Sequence, residues 1–515
     1  VRRKTRPAIK GTTWAWSVAL AAAGGLALFL AFPPFDLWFL APLAMAALYG
    51  ALERMTPWRG YASAWLMAAV WFTPLFWWAH AAAGTLPWLA LSWASAALFA
   101  LVAPSWGYAR RLLAKNGWLS PLVFATLVAG FDSIRSFWPF GGFPWGRLAF
   151  SQAPGPLGRW SWLAGAPFVS FAVALAGAFL WAGLSQVQAK RWSFVTGATA
   201  SAIAIALVPL ALPLGEGAQD GQLMVGAVQG NVAVTDQGLF AQRREVLDNH
   251  VAGTYALAQQ GHQLDLVLWP ENATDIDPLT DATVADDINQ AAAAIGAPIL
   301  LGAMEYVGQA NRYNLALLWQ PGQGIVGKYA KRHPAPFAEY MPGRGFFRHF
   351  TGKVDLISTD MLAGQSIGLF TLPVMRLDRD VLVGDVICFE VAYDSLVADT
   401  IKAGAEILVV QTNNASFGRT SESLQQLAMS RLRAIEHGRT TVQVSTVGVS
   451  AVISPTGKVS HQTSLFAPAE FVAALPLRHT ATPAQNLAMP FVWILLLASA
   501  GLTLAGLTVA VARRR

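Results

Sequence analysis

Long apolar runs dominate the first 214 positions of the chain. A bilayer core is crossed by about 20 mostly apolar helical residues. Seven runs approach that length: Trp14–Ala31, Leu37–Leu52, Tyr61–Trp78, Leu86–Ala103, Trp118–Phe131, Trp162–Leu184 and Phe194–Leu214. An eighth runs over Phe491–Val511, and the second and fifth are the shortest. Between the seventh and eighth the texture changes to short β-rich segments alternating with helical ones. Strands are predicted at Gln222–Gln229, Leu264–Trp269, Ile299–Met304, Asn314–Trp319, Val381–Cys388, Ile407–Gln411, Thr441–Ser445 and Ser450–Ile453. Helices are predicted at Gln242–Gln260, Asp281–Ile295 and Gln425–His437. Continuous apolar strands are buried on both faces, so these sheets need helical cover, as in an α/β sandwich. The expected architecture is a multi-pass α-helical membrane protein of eight spans carrying an α/β domain between spans seven and eight. The expected segments are 1–214 (seven spans), 221–478 (the α/β domain) and 489–512 (the last span), with Gly215–Gly221 as linker.

Composition agrees with a membrane protein: 54% hydrophobic, 13% charged and 21 tryptophans. The net charge of +7 does not point to nucleic acid, because no recognition motif accompanies it. The basic residues sit instead beside the apolar runs. Arg2, Arg3, Lys4 and Arg6 precede the first, and Arg513, Arg514 and Arg515 follow the last. Arg54 and Arg59, then Arg110, Arg111 and Lys115, then Lys190 and Arg191, mark alternate connections. The positive-inside rule therefore expects both termini in the cytoplasm and the α/β domain on the extracytoplasmic face. The long connection with Arg135, Arg147 and Arg159 departs from the alternation. A cleaved signal peptide is the alternative for the first run, but six more spans follow it.

Three polar segments fall at strand ends, where open α/β folds bind ligands. Glu271 follows a strand in LWPEN. Lys328, Lys331, Arg332, His333 and Glu339 share the loop of Gly327–Pro342. Cys388, the single cysteine, ends an apolar strand and is flanked by Asp385 and Glu390. A lone cysteine excludes an intrachain disulfide and a multi-cysteine metal site. By itself such a thiol is often a small buried hydrophobe. Cysteine catalysis, however, needs a proton acceptor for the thiol and a cation or N–H donors for an oxyanion, and Glu and Lys at neighbouring strand ends supply both.

Glu271 in WPEN, Lys331 in YAKRHPAPFAEY and Cys388 in ICFE resemble the Glu-Lys-Cys triad of the nitrilase superfamily. Seven spans before such a domain and one after it resemble its membrane branch, the bacterial apolipoprotein N-acyltransferases. Gly142–Gln152 (GFPWGRLAFSQ), Gln229-Gly230-Asn231, Thr412–Gly418 (TNNASFG) and Met429–Arg439 (MSRLRAIEHGR) extend the resemblance over nearly the whole chain. It implies an α-β-β-α nitrilase-like domain. Cys388 would be the nucleophile, Glu271 the general base and Lys331 the oxyanion-stabilising cation, with His-Pro-x-Pro-Phe favouring Lys331 over Lys328. Glu339 would be a second essential glutamate, with Glu390 and Phe389 in supporting positions. The implied reaction moves an acyl chain from a membrane phospholipid through a cysteine thioester to the α-amino group of a diacylglyceryl-cysteine on an apolipoprotein. It implies no cofactor and no metal, a monomer, and a place in the bacterial cytoplasmic membrane. Phe389 stands where the family usually has Tyr, Asn414 and Ser416 where it often has Asp and Trp, and Val232–Gln237 lacks the family's usual Trp. These departures mark a variant lineage with altered docking loops.

Phe346, Phe347, Arg147, Asn414 and Ser416 are candidate lipid or substrate contacts. Arg147 and Gln152 either line a lipid entrance or anchor their connection. Gly345–Val374 has little evident secondary structure and carries Phe346, Phe347, Phe350, Leu356, Met361 and Leu362; long irregular loops are often lids, and this one is expected to admit acyl chains. His333 and Asp385 read as structural, and the Asn272-Ala273-Thr274 sequon overlaps the catalytic strand end. The alternative function is a membrane-anchored amidase with water as acceptor, for which seven spans are excessive. A transporter would need polar groups inside several spans, and the runs contain almost none.

Overall fold

The computed structural model describes residues 14–53, 55–113, 117–232, 244–349, 354 and 357–513. Arg2, Arg3, Lys4, Arg6, Arg54, Lys115, Arg514, Arg515, Phe350, Leu356 and positions 233–237 of the sequence reading lie outside them. The chain forms two compact units, one of residues 1–212 with 486–515 and one of 213–485.

The first unit is helical. Its helices are α1 (Trp14–Ala31), α2 (Leu40–Leu52), α3 (Pro57–Leu75), α4 (Trp77–Ala83), α5 (Thr85–Ala100), α6 (Val102–Ala109), α7 (Leu119–Ile134), α8 (Ser161–Val187) and α9 (Trp192–Leu207), with a C-terminal helix over Ala484–Ala512. All eight apolar runs are helical. Among the described residues, five continuous helices are long and apolar enough to cross a membrane: Trp14–Ala31, Thr85–Leu113, Pro156–Val187, Trp192–Ala211 and Ala484–Ala512. The α3–α4 pair passes as one element bent by 55°, while α2 and α7 are shorter apolar helices. The bend follows Pro74, which withholds an N–H from the helix ladder. Small residues let these helices close up. A Cβ on Gly177 of α8 would stand 2.3 Å from the Pro42 carbonyl oxygen of α2, the close approach that membrane helices use in place of a hydrophobic driving force.

The α7–α8 connection holds a buried polar network. Arg135 donates to the Phe143 and Trp145 carbonyls at 2.7 and 2.6 Å. Asp132 pairs with Arg135 at 3.3 Å and accepts from Ser170 Oγ at 2.8 Å. Arg147 donates to Ser136 Oγ at 2.6 Å, and Gln152 to the Trp38 carbonyl at 3.1 Å. Buried cations survive when paired or hydrogen-bonded, which accounts for Arg135 and Arg147 in this connection.

The second unit is a two-sheet sandwich. Its strands are β1 (Gln222–Gln229), β2 (Leu266–Leu268), β3 (Ile299–Val307), β4 (Asn311–Gln320), β5 (Gly324–Ala330), β6 (Asp360–Met361), β7 (Leu369–Val374), β8 (Arg379–Ile387), β9 (Ile407–Thr412), β10 (Thr440–Ser445), β11 (Ala451–Ile453), β12 (Val459–Ser460) and β13 (Ala469–Pro476). One sheet has the order β13-β1-β2-β3-β4-β5, with β6 on β4, and the other β12-β11-β10-β9-β8-β7. The centre of each is parallel: β1-β2-β3 and β8-β9-β10. Its helices are α10 (Glu245–Gln259), α11 (Ala282–Ile295), α12 (Arg344–Phe347), α13 (Asp394–Lys402) and α14 (Glu422–His437).

Period-2 alternation sends one face of each sheet into a common core. Val225, Leu268, Leu300 and Leu318 meet Leu372, Val383, Val409 and Val444 there. The outer face of the first sheet packs on α10 and α11, where Leu247, Val284 and Ile288 recur at helical spacing. Leu427 and Ala434 of α14 cover Ala451 and Ile453. The layers are therefore α-β-β-α. Asp281 caps α11 by accepting from the N–H groups of Thr283 and Val284. Strands β5, β7 and β13 and helix α13 fall in stretches where no element is predicted, and among the described residues of Gly345–Val374 the chain forms β6 and β7.

Candidate active site

Glu271 follows β2, Lys331 follows β5, Cys388 follows β8 and Asn413 follows β9. Parallel central strands bring their carboxyl ends to one side, so residues far apart in sequence converge. The ends are stitched across the sandwich. Gln411 donates to the Trp269 carbonyl at 2.7 Å, and Thr446 Oγ1 to the Glu271 carbonyl at 3.2 Å. Gly302 of β3 makes room for the Glu271 segment, since a Cβ there would lie 2.4 Å from the Pro270 carbonyl oxygen and 2.6 Å from Glu271 Cα.

Glu271 is buried, with 4% of its surface exposed. Its Oε1 accepts from Asn314 Nδ2 at 2.6 Å and lies 3.6 Å from Lys331 Nζ. Its Oε2 accepts from the Asn413 backbone N–H at 2.7 Å. Burial raises the Glu271 pKa; the Lys331 charge and these hydrogen bonds only partly offset it. A carboxylate tuned upward is suited to taking a proton near neutral pH. Lys331 donates to Glu339 Oε1 at 2.6 Å. Burial opposes its charge, but Glu339 and then Glu271 outweigh that and raise its pKa, so it is a fixed cation. Glu339 is itself tied back by the Ala335 N–H at 2.6 Å.

Cys388 starts a 3-10 turn directly after β8 with φ of +55°. A side chain in this left-handed region is strained, and the sharp turn sets the sulfur at the strand end. The thiol is buried. Burial first, and Glu271 next, push its pKa up, while Lys331 pulls it down. The Glu271 carboxylate and the Lys331 ammonium thus act on the sulfur in opposite senses.

Glu390 holds the turn rather than facing the sulfur. Its Oε2 accepts from Ile387 N–H and Tyr329 O–H, both at 2.8 Å. Its Oε1 accepts from the Arg332 and His333 N–H groups at 2.7 and 3.0 Å. One carboxylate thus joins the cysteine turn to the lysine loop. Arg433, fully buried on α14, binds the other side of the turn through the Val391 and Ala392 carbonyls at 2.9 Å each. Its charge is met by Asp394 and Glu436. Phe389 stacks on Phe417 with ring centroids 5.8 Å apart.

The other predicted residues divide. Phe346 is 63% exposed and Phe347 half-buried, edge-on to it and to Phe337. Arg344 ties this arm at 2.6 Å to the Val354 carbonyl and at 2.5 Å to Asp360. Ser416 is exposed. Arg147 is 1% exposed within the helical unit and donates to Ser136 Oγ, and Gln152 is likewise buried and donates to the Trp38 carbonyl. Asn414 lies just past the end of β9. It is buried and donates to Glu422 Oε2 at 2.7 Å and Gln426 Oε1 at 3.0 Å, and accepts from Ser445 Oγ at 2.6 Å. Lys328 points outward to Glu305. His333 packs on Tyr393, and burial, then Lys331, lowers its pKa. Asp385 lies under the site with neither carboxyl oxygen hydrogen-bonded among the described residues. Burial, then Glu390 and Glu271, raises its pKa. Sequence reasoning missed Asn314, Thr412 and Gln426. Their signal was polarity inside an apolar strand, at an apolar strand's end, and on a buried helix face.

Among the described residues no cluster of His, Cys, Asp and Glu could hold a metal ion. Residues 24–179 match the family model for the apolipoprotein N-acyltransferase N-terminal domain, and residues 224–482 match that for carbon-nitrogen hydrolase. An apolipoprotein N-acyltransferase of Mycolicibacterium smegmatis is 36% identical over 499 residues, 91% of this chain and 81% of that protein. The chain belongs to the apolipoprotein N-acyltransferase family. A second apolipoprotein N-acyltransferase, from Azotobacter vinelandii, is 30% identical over 468 residues, 87% of each chain. Among solved structures, an amidase of the nitrilase superfamily from Nesterenkonia aligns with a TM-score of 0.40 and 15% identity, over 54% of this chain and 99% of its own. Within the apolipoprotein N-acyltransferase family, the two matched segments coincide with the helical unit and the sandwich.

Proposed function

We propose that this protein N-acylates apolipoproteins by a ping-pong mechanism on Cys388. The observation that carries the reading is the convergence of a buried carboxylate, a buried ammonium and the chain's single thiol at three strand ends, in a chain of this family. Glu271 takes the thiol proton. The sulfur attacks the ester carbonyl of a membrane phospholipid, and Lys331 Nζ, with the N–H of Phe389, stabilises the resulting oxyanion. Collapse breaks the carbon–oxygen bond, and Glu271 returns its proton to the departing lysophospholipid. The α-amino group of a diacylglyceryl-cysteine then attacks the thioester, Glu271 takes the amine proton, and the thiolate leaves. An ester donor already carries the free energy for the transfer, so the reaction needs no cofactor.

Apolar helices and the family place the protein in a bacterial membrane. The finer reading is eight spans, counting the bent α3–α4 pair, α2 and α7. Both termini are cytoplasmic, residues 221–478 form an extracytoplasmic catalytic domain, and the chain acts as a monomer. The basic connections between helices support that orientation. The amidase alternative has less support, because the relatives matched over most of their length are acyltransferases.

The test is mass spectrometry of the purified chain with isotope-labelled phospholipid. An acyl adduct on Cys388, discharged by a diacylated lipopeptide and only slowly by water, is the expected result. Absence of the adduct, or transfer by Cys388→Ala, overturns the mechanism. Rapid discharge by water favours the amidase.

A further inference from the structure

Behind Cys388 lies a buried polar cluster that the acyl-transfer chemistry above does not use. Thr412 Oγ1, at the end of β9, is 3.5 Å from Cys388 Sγ and 2.8 Å from Gln426 Oε1 of α14. Asn414 Nδ2 donates to the same Gln426 oxygen at 3.0 Å and approaches Thr412 Oγ1 at 3.3 Å. Thr412, Asn414 and Gln426 are all at most 2% exposed. A hydroxyl has one hydrogen and a free rotor. Thr412 therefore faces two acceptors and can serve one at a time.

We propose that Thr412 is a switching hydrogen-bond donor to the nucleophile, pointing to Gln426 Oε1 while Cys388 is a neutral thiol and turning onto Cys388 Sγ when the sulfur is an anion. Gln426 is the positioning residue that holds the hydroxyl at rest, and Asn414 steadies Gln426. A neutral thiol is a weak acceptor, so the amide oxygen wins the hydrogen. A thiolate accepts a charge-assisted bond and wins it back. No covalent bond changes in the switch: the thiol proton goes to Glu271 and the threonine proton stays on its oxygen. The same bond serves both half-reactions, because the sulfur is the attacking group in the first and the leaving group in the second. The switch also answers an electrostatic need. Burial and Glu271 both oppose the thiolate, and Lys331 is already paired with two carboxylates.

The proposal rests on Cys388 being the nucleophile, and the experiment separates the two. Cys388 is the only cysteine, so alkylation of the full-length protein by iodoacetamide, followed by intact mass across pH, reads this sulfur alone and needs no phospholipid. Thr412→Val should slow alkylation at pH 7 about 10-fold or more and move its midpoint up by about one pH unit. Thr412→Ser should restore both. Gln426→Met removes the competing acceptor and should move the midpoint down. A merely structural role would lower rates without moving the midpoint. An unchanged midpoint in Thr412→Val, or no recovery in Thr412→Ser, overturns the proposal. Where Thr412→Val does not fold, Gln426→Met decides: a lower midpoint supports the switch, and an unchanged or higher one overturns it. A wild-type protein that alkylates normally but takes no acyl label overturns the nucleophile reading instead.

Discussion

Asn314 donates through Nδ2 to Glu271 Oε1 at 2.6 Å from inside strand β4, with both side chains buried. The bond favours the charged carboxylate and holds down a pKa that burial raises. Its loss should therefore push Glu271 further up, so that the base is free only at higher pH. Asn314→Leu is expected to move the acidic limb of the acylation rate profile upward by about one pH unit and to slow acylation at pH 7 about 10-fold, since hydrogen bonds to charged groups contribute about 1.5–3 kcal/mol. Single-turnover thioester formation across pH checks this; a limb that stays in place contradicts it.

Glu339 should matter through Lys331. At 2.6 Å it is the ammonium's nearer carboxylate, while Glu271 lies 3.6 Å away. Glu339→Gln keeps the shape but removes the charge that anchors the lysine, which leaves Glu271 as its main partner. A Glu271 drawn into a closer ion pair is a weaker base. Thioester formation should fall about 10- to 100-fold, less than the roughly 100- to 1000-fold cost of losing an oxyanion donor outright, while Lys331→Met should cost more. A Glu339→Gln loss that persists in the Lys331→Met background would show that Glu339 acts by another route.

The chemistry was more legible than its support. Glu271 and Cys388 stand out because each directly follows an apolar run, and strand ends are where such folds place reactive groups. Lys331 separates from Lys328 in the sequence only through the His-Pro-x-Pro-Phe that follows it; strand β5, which turns Lys328 outward and ends just before Lys331, is not evident there. The supporting residues are hidden because their environment is made by distant segments. Asn314 is one polar residue in an apolar strand, and nothing local says that its neighbour is Glu271. Helix α14 reads as solvated, with Gln425, Gln426, Arg433 and Glu436 around it, yet all four are buried. Arg433 meets the cysteine turn, and Gln426 meets Thr412 at the end of β9. The missed strands β7 and β13 lie at sheet edges, where one-sided burial replaces a continuous apolar run. β7 even admits Pro373, which an edge tolerates.

The Phe346 and Phe347 arm should govern access of lipid. Phe346 is 63% exposed, and an aromatic ring left in water gains by meeting an apolar phase. Replacing both with Ser is expected to slow thioester formation from phospholipid vesicles several-fold, while leaving acylation by a short-chain soluble thioester unchanged. Equal effects on both donors would assign the arm to the fold of the domain, and unchanged acylation from vesicles would remove it from the reaction.

Glu422 gives a prediction for stability. It is buried on α14, its Oε2 accepts from Asn414, and burial pushes its pKa from 4.5 up to about 8. The folded protein therefore keeps a proton here that the unfolded chain has lost at intermediate pH. Where the native state binds more protons, stability falls as pH rises. This group's cost is absent below about pH 4.5, grows through the interval, and is complete above about pH 8. It amounts to a few kcal/mol on the order of magnitude. Glu422→Gln keeps an oxygen for Asn414 and cannot ionise. Its thermal midpoint, followed by tryptophan fluorescence in detergent, should match the wild type near pH 4.5 and exceed it increasingly toward pH 8.5. Parallel curves for the two proteins would mean that Glu422 is ionised in the folded state and that the buried cluster behind Cys388 carries a negative charge.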